Sequence, residues 1–169
     1  MKTLWYGAQA AWWMPLERDA RRRYRDQLRV TIAYRMLTYE LTEFAVVGDE
    51  VPYSLRIEFR AAVGYDWYGL TAEEFPRVKA GRSHNFDEVP PGAPAVRRPA
   101  GQWRSPHRYS DGALCMWYPK DPPERRWVPA DGLLALIEMA HNHLFAERYH
   151  WLHDRWPLDE VPHGFAKVA

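Results

Sequence analysis

Cysteine is nearly absent from this chain: there is one, Cys115, in 169 residues. An internal disulfide is therefore excluded, a reducing compartment is the default, and Cys115 is either a buried filler or a reactive thiol. Net charge is lacking too, with 23 basic against 22 acidic side chains, which argues against a surface built for nucleic acid or membrane headgroups. No run approaches the roughly 18 uninterrupted apolar residues of a membrane-spanning helix. The start, Met1 to Trp13, is apolar and aromatic, but Lys2 is its only basic residue and no small-residue cleavage site follows, so it does not read as a secretion signal. Neither an internal repeat nor a low-complexity tract is present. What is abundant is apolar mass, 47% hydrophobic and 15% aromatic, enough for one core and a single domain over residues 1–169. The expectation is a soluble, cytoplasmic protein whose partners are proteins, not nucleic acid or membrane.

From Pro15 to about Ile32 the apolar positions Leu16, Ala20, Tyr24, Leu28 and Ile32 recur every four residues, which predicts an amphipathic helix with Pro15 in its first turn. Its outer face carries Arg18, Arg21, Arg22, Arg23, Arg25 and Arg29, either a solvated face or a docking surface. Tyr34 to Val47, the Gly48-Asp49 turn and the alternation from Tyr53 to Phe59 predict two or three antiparallel strands, with a further short one near Phe75 to Lys79. Gly81 to Gly101 collects prolines and glycines and predicts a long irregular loop. After it, Asp131 can cap a helix from Gly132 whose stripe is Leu133, Leu136, Ile137, Ala140 and Leu144. The order of elements is an α+β plan.

The chemistry-bearing stretch is Pro106-His107-Arg108-Tyr109-Ser110-Asp111-Gly112-Ala113-Leu114-Cys115, followed by Trp127-Val128-Pro129-Ala130 at the head of the last helix. Cys115 follows an Asp-Gly turn, which puts it where the chain emerges toward solvent. A thiol of ordinary pKa is only a few per cent thiolate at neutral pH, yet that suffices for exchange with another thioester. Such exchange is nearly balanced in energy, so the protein mainly has to position two sulfurs. Asp111 is either a turn-former or a group that orients an incoming amine. His107 supports the loop geometry first.

These residues resemble the active-site segment of ubiquitin-conjugating enzymes, where a His-Pro-Asn tripeptide precedes a Gly-x-(Ile/Leu)-Cys turn and a Trp-x-Pro-Ala element precedes a helix. Gly112 to Cys115 and Trp127 to Ala130 fit as written. The stretch is still more similar to the prokaryotic branch, with its His-x-Tyr-x-Asp-Gly-x-Leu-Cys string and a tail carrying Trp151, Trp156, Pro162, His163 and Gly164. The resemblance covers roughly Met36 to Gly164 in the order of elements and the portion after Trp103 in motifs. The asparagine of the tripeptide falls on Tyr109, and the gap from His107 to Cys115 is shorter than in the eukaryotic enzymes. What the resemblance implies is the ubiquitin-conjugating-enzyme-like fold: an N-terminal helix, an antiparallel meander, an active-site loop and C-terminal helices. It also implies a bacterial acyltransferase in which Cys115 carries a partner's C-terminus as a thioester and passes it to an amine, commonly lysine. Implied partners are a cGAS-like nucleotidyltransferase of an anti-phage signalling operon of the CBASS type, favoured, or a ubiquitin-like protein; any ATP would be used by an activating enzyme, and whether a separate one is needed stays open. No cofactor is expected. His107, Tyr109 or backbone amides would replace the oxyanion-supporting asparagine, and the role of His163 stays open.

Three other readings compete. A cysteine hydrolase would pair Cys115 with His107, His150 or His163, but Met116-Trp117-Tyr118-Pro119 does not open the helix on which papain-like enzymes mount their nucleophile. A silent conjugating-enzyme-like binding module would make Cys115 structural. A nucleic-acid binder using the arginines of the first helix is opposed by the near-zero net charge. His141-Asn142-His143 lacks the strand-based scaffold of an HNH nuclease, and His150 with His153 is a weak metal signal, so no metal is expected.

Overall fold

The computed structural model describes residues 5–62, 71–81, 105–109, 111–118 and 120–157. Val30-Thr31-Ile32 is a β-branched run, stiff at χ1 and better suited to a strand than to a helix. It corrects the first expectation. Helix α1 spans Ala10–Tyr24, ends where Arg25 turns to φ 43°, and gives way through a short 3-10 turn to β1, Leu28–Ala33. The four-residue spacing is helical only at its start: Leu16 and Ala20 are buried on α1, whereas Ile32 is 49% exposed on a strand. Pro15 lies inside α1 rather than in its first turn, so the Ala11 carbonyl lacks its usual helical donor.

Strands β2 (Met36–Phe44), β3 (Tyr53–Arg60) and β4 (Arg77–Gly81) complete an antiparallel sheet in the order β1-β2-β3-β4. Tyr34 belongs to a turn, not to the second strand. Tyr34 and Arg35 both have positive φ, 49° and 59°, the mark of a two-residue turn whose twist suits a hairpin. The Gly48-Asp49 turn forms as expected, with the Asp49 N–H donating to the Val46 carbonyl at 3.0 Å. Register then separates two faces. Leu28, Leu41, Leu55 and Ala80 align across the sheet, as do Val30, Tyr39, Ile57 and Val78, on the side that carries the core. Arg29, Glu40, Arg56 and Lys79 align on the other, where Arg56 pairs with Glu40 at 2.8 Å.

Helix α2, Gly132–His153, covers the core with the stripe read from the sequence: Leu133, Leu136, Ile137, Ala140 and Leu144 are all buried. Burying each large side chain of this stripe contributes about 1.5–3 kcal/mol. Helix α1 packs on α2. Asp131 does not cap α2 through its side chain; its carboxylate accepts the Val128 N–H at 2.9 Å and closes the preceding 3-10 turn, Pro129–Asp131. The start of α2 is held instead by the Trp127 indole, which donates to the Gly132 carbonyl at 2.9 Å. At the other end Asp154 adopts the left-handed conformation and its N–H caps the His150 carbonyl, reversing the chain so that Trp156 folds back. The expected loop over 82–101, Ser110, Pro119 and the tail element Pro162-His163-Gly164 lie outside the described residues. Among those described, α2 is the one C-terminal helix, and no helix is long and apolar enough to cross a membrane.

The Tyr34-Arg35 turn holds two non-glycine residues at positive φ, so Tyr34→Asn with Arg35→Gly should stabilise the fold by about 1 kcal/mol. That corresponds to a rise in Tm of roughly 2–4 °C for a chain of this size. A calorimetric scan showing no rise would mean the turn is not under strain.

Candidate active site

A chain segment that leaves a sheet edge and must present a side chain in one geometry needs anchors beyond its own turn. The segment from Ser105 to Cys115 has them. Its arms pair as a small hairpin: the Cys115 N–H donates to the His107 carbonyl at 2.8 Å, Arg108 and Leu114 form a bridge, and the Tyr109 N–H donates to the Ala113 carbonyl at 2.8 Å. Gly112 sits at φ 82°, a conformation nearly free of cost only for glycine, and its N–H closes the turn on the Tyr109 carbonyl at 3.0 Å. The hairpin docks on the edge of β4 through the Leu114 N–H and the Val78 carbonyl, 2.7 Å apart.

The main anchor is one that sequence reasoning missed. Arg108 makes two bonds to the fully buried Glu147 of α2, at 2.9 and 2.8 Å, and donates to the carbonyls of Ala80 at 3.0 Å and Gly112 at 3.4 Å. One guanidinium thus ties the hairpin, β4 and α2 together in the forked geometry that suits carboxylates. Burial works against both charges, lowering Arg108 and raising Glu147, but each outweighs it for the other, and the Ser105 hydroxyl adds a bond to Glu147. Arg108 is held above its ordinary value and Glu147 below its own.

Three of the predicted site residues gather around Arg77: Tyr109 and Asp111 beside the turn, and Cys115 at the end of the returning arm. Cys115 is half-buried, less open than its Asp-Gly turn suggested. Burial pushes its thiol above the ordinary value, opposed by a hydrogen bond with Tyr109 and by the charge of Arg77. Arg77, at the start of β4, was also missed. Its guanidinium lies 4.3 Å from the Tyr109 ring centre, in cation–π range, and grips Asp111 at 2.5 and 3.2 Å. Asp111 also accepts the Ala113 N–H at 3.1 Å. Burial alone would raise the Asp111 carboxyl, but Arg77 and Ala113 hold it below the usual range. Both of its oxygens are engaged by these contacts, as in a turn-former.

His107 takes a different direction. Buried, its ring stacks on Trp156 at 4.1 Å and faces His143 at 6.4 Å, and Trp156 also reaches His143 and His150 at 5.5 and 6.1 Å. The fourth predicted site residue therefore sits opposite Cys115 in the backbone pairing but packs its ring on Trp156. His163 lies outside the described residues. Among the described residues no cluster of three or more histidine, cysteine or acidic side chains is arranged to hold a metal ion. No family model matches the chain, and neither the curated proteins nor the solved structures include a match to it.

The Arg108–Glu147 pair leads to a stability test. Glu147→Gln strands a buried guanidinium and should cost about 3–5 kcal/mol, whereas Arg108→Met with Glu147→Leu should restore much of that. Urea unfolding measures both; equal losses for the single and double variants would contradict the account.

His143 supplies a pH test. Burial pushes its imidazole down to about 4, aided by Arg108 and His107 and opposed by Glu147 and a bond to the His107 backbone. An unfolded histidine titrates near 6.5, so between about pH 6.5 and 4 the unfolded chain takes the proton first and folding stability falls as pH falls. The loss from pH 7 to pH 5 should be about 2 kcal/mol greater in the native chain than in His143→Leu; identical pH slopes would rule His143 out.

Proposed function

We propose that this chain is an acyl carrier of the ubiquitin-conjugating type, with its mixed α+β architecture a compact version of that fold. Cys115 takes the C-terminus of a protein partner as a thioester and hands it to an amine. The observation that carries this reading is the thiol itself: half-buried at the end of the returning arm of a hairpin pinned by Arg108, it meets a tyrosine hydroxyl and the charge of an arginine, with the His107 ring stacked on Trp156. A hydrolase needs a base on its thiol to activate both the nucleophile and the water. Thioester exchange needs a positioned sulfur and a donor for developing negative charge.

In the first step the Cys115 thiolate attacks the carbonyl carbon of an incoming thioester. The carbonyl electrons move to oxygen, and on their return the donor's sulfur leaves as a thiolate. In the second, an amine nitrogen attacks the Cys115 thioester, the carbon–sulfur bond breaks, Cys115 departs as thiolate and the nitrogen loses its proton to solvent. Tyr109 stands where the eukaryotic enzymes have their asparagine, and its hydroxyl, already beside the sulfur, donates to the oxyanion in both steps. Arg77 adds positive charge and holds the Tyr109 ring. Asp111, fixed by Arg77, sets the turn. The carried partner is a cGAS-like nucleotidyltransferase of a bacterial anti-phage signalling operon, or alternatively a ubiquitin-like protein, loaded in the cytoplasm by an activating enzyme that uses ATP.

Co-expression with the neighbouring genes of its operon, read on non-reducing gels and by mass, tests this. Native chain should give an adduct that reductant removes and Cys115→Ala abolishes, with a stable lysine conjugate accumulating in its place. Tyr109→Phe should slow both loading and transfer, each on the order of 10- to 100-fold. Absence of any thiol-sensitive adduct, with Cys115→Ala still binding its partners, would leave a binding module instead.

A further inference from the structure

On the face of α2 opposite His143, Glu147 and His150 lies a cavity of about 530 Å³, formed where the end of α1, the end of β2 and the middle of α2 converge. Its α2 residues, Glu138, His141 and Asn142, point about 150° away from His143, Glu147 and His150 around the helix. Aromatic rings form part of the wall: Tyr24 from α1 and the edge-to-face pair Phe44 and His141, 5.9 Å apart.

Two carboxylates open onto this space, Glu43 and Glu138. Glu43 is there because β2 is irregular between Leu41 and Phe44, and it takes φ 56°, a conformation that costs a non-glycine residue free energy and concentrates at functional positions. Among the described residues neither carboxylate has an ion-pair partner. The one cation in the lining, Arg23, lies over the Tyr24 ring, 5.9 Å from its centre. Aromatic faces with two free carboxylates form a receptor for an ammonium or guanidinium group on an alkyl stem.

Two exposed apolar side chains neighbour the lining segments in the chain. Phe145, one turn beyond His141 on α2, is 41% exposed, and Val47, just past Phe44 in the β2–β3 loop, is 65% exposed. That loop is fastened to α2 by Asp49 and Arg148 at 3.3 Å. Exposed apolar side chains around an acidic, aromatic cavity fit a peptide rather than a small hydrophilic cation.

We propose that this cavity docks a basic peptide segment of a partner protein, a lysine or arginine side chain pairing with Glu43 and Glu138 while an adjacent apolar side chain covers Phe145 and Val47. The cavity shares no lining residue with the cysteine hairpin.

Isotope-labelled full chain titrated with the capped tripeptide acetyl-Leu-Lys-Leu-amide, followed by amide NMR shifts, tests the proposal. Saturable shifts should gather at residues 23–27, 41–45 and 138–142 and persist in Cys115→Ala. The exposed, isosteric double variant Glu43→Gln, Glu138→Gln should weaken binding at least about fivefold, as should about 0.5 M sodium chloride. Overturning results are equal binding of acetyl-Leu-Gln-Leu-amide, no loss in the double variant, shifts centred elsewhere or absent, or spermidine binding as tightly as the peptide, which would make this a small-cation site.

Discussion

The buried contact between Arg108 and Glu147 is the constraint on which the cysteine segment depends. The hairpin is short and, among the described residues, is joined to the sheet edge by a single backbone bond from Leu114. Without a fixed point outside itself, it would move as a unit. Arg108 supplies that point by reaching into α2, whose apolar stripe is buried in the core, and gathering two backbone carbonyls on the way. A pair buried to this degree adds little net stability compared with apolar residues of the same volume. Its value is geometric: a forked guanidinium accepts few orientations, and those orientations set the positions of Gly112, Ala113 and hence Cys115.

Around this anchor, charges are handled in two separate layers. Deep in the fold, Arg108 and Glu147 neutralise each other while His143 stays uncharged beside them. Nearer the surface, Arg77 serves Asp111 and Tyr109 together, so the cation next to the thiol is itself compensated. The thiol itself is held above its ordinary value, because burial outweighs the Tyr109 hydrogen bond and the Arg77 charge that oppose it.

Much of the scaffold was legible because it follows local rules. The α2 stripe has helical spacing, β3 alternates, and the two turns, Gly48-Asp49 and Asp111-Gly112, carry their residues in plain order. The first helix was read too long because Leu28 and Ile32 continue its spacing by coincidence, while the β-branched run between them and the left-handed Arg25 belong to a strand and its approach. The candidate site was legible only in its hairpin residues. Arg77 meets Asp111 across 34 positions and Arg108 meets Glu147 across 39, and no periodicity relates residues brought together by a meander and a returning helix. Glu147 in particular looks like any polar residue of an amphipathic helix until the hairpin is laid against it.

The two margins of the sheet are unlike each other. On the β4 side the cysteine hairpin lies along the edge and takes up the Val78 carbonyl, so further strands find that side obstructed. On the β1 side, among the described residues, no strand pairs with the outer edge, and Val30 and Ile32 stand partly bare there. Two copies meeting β1 to β1 would form a closed, two-fold pair. The hairpin that carries the thiol thus doubles as a cover for the opposite edge of the sheet.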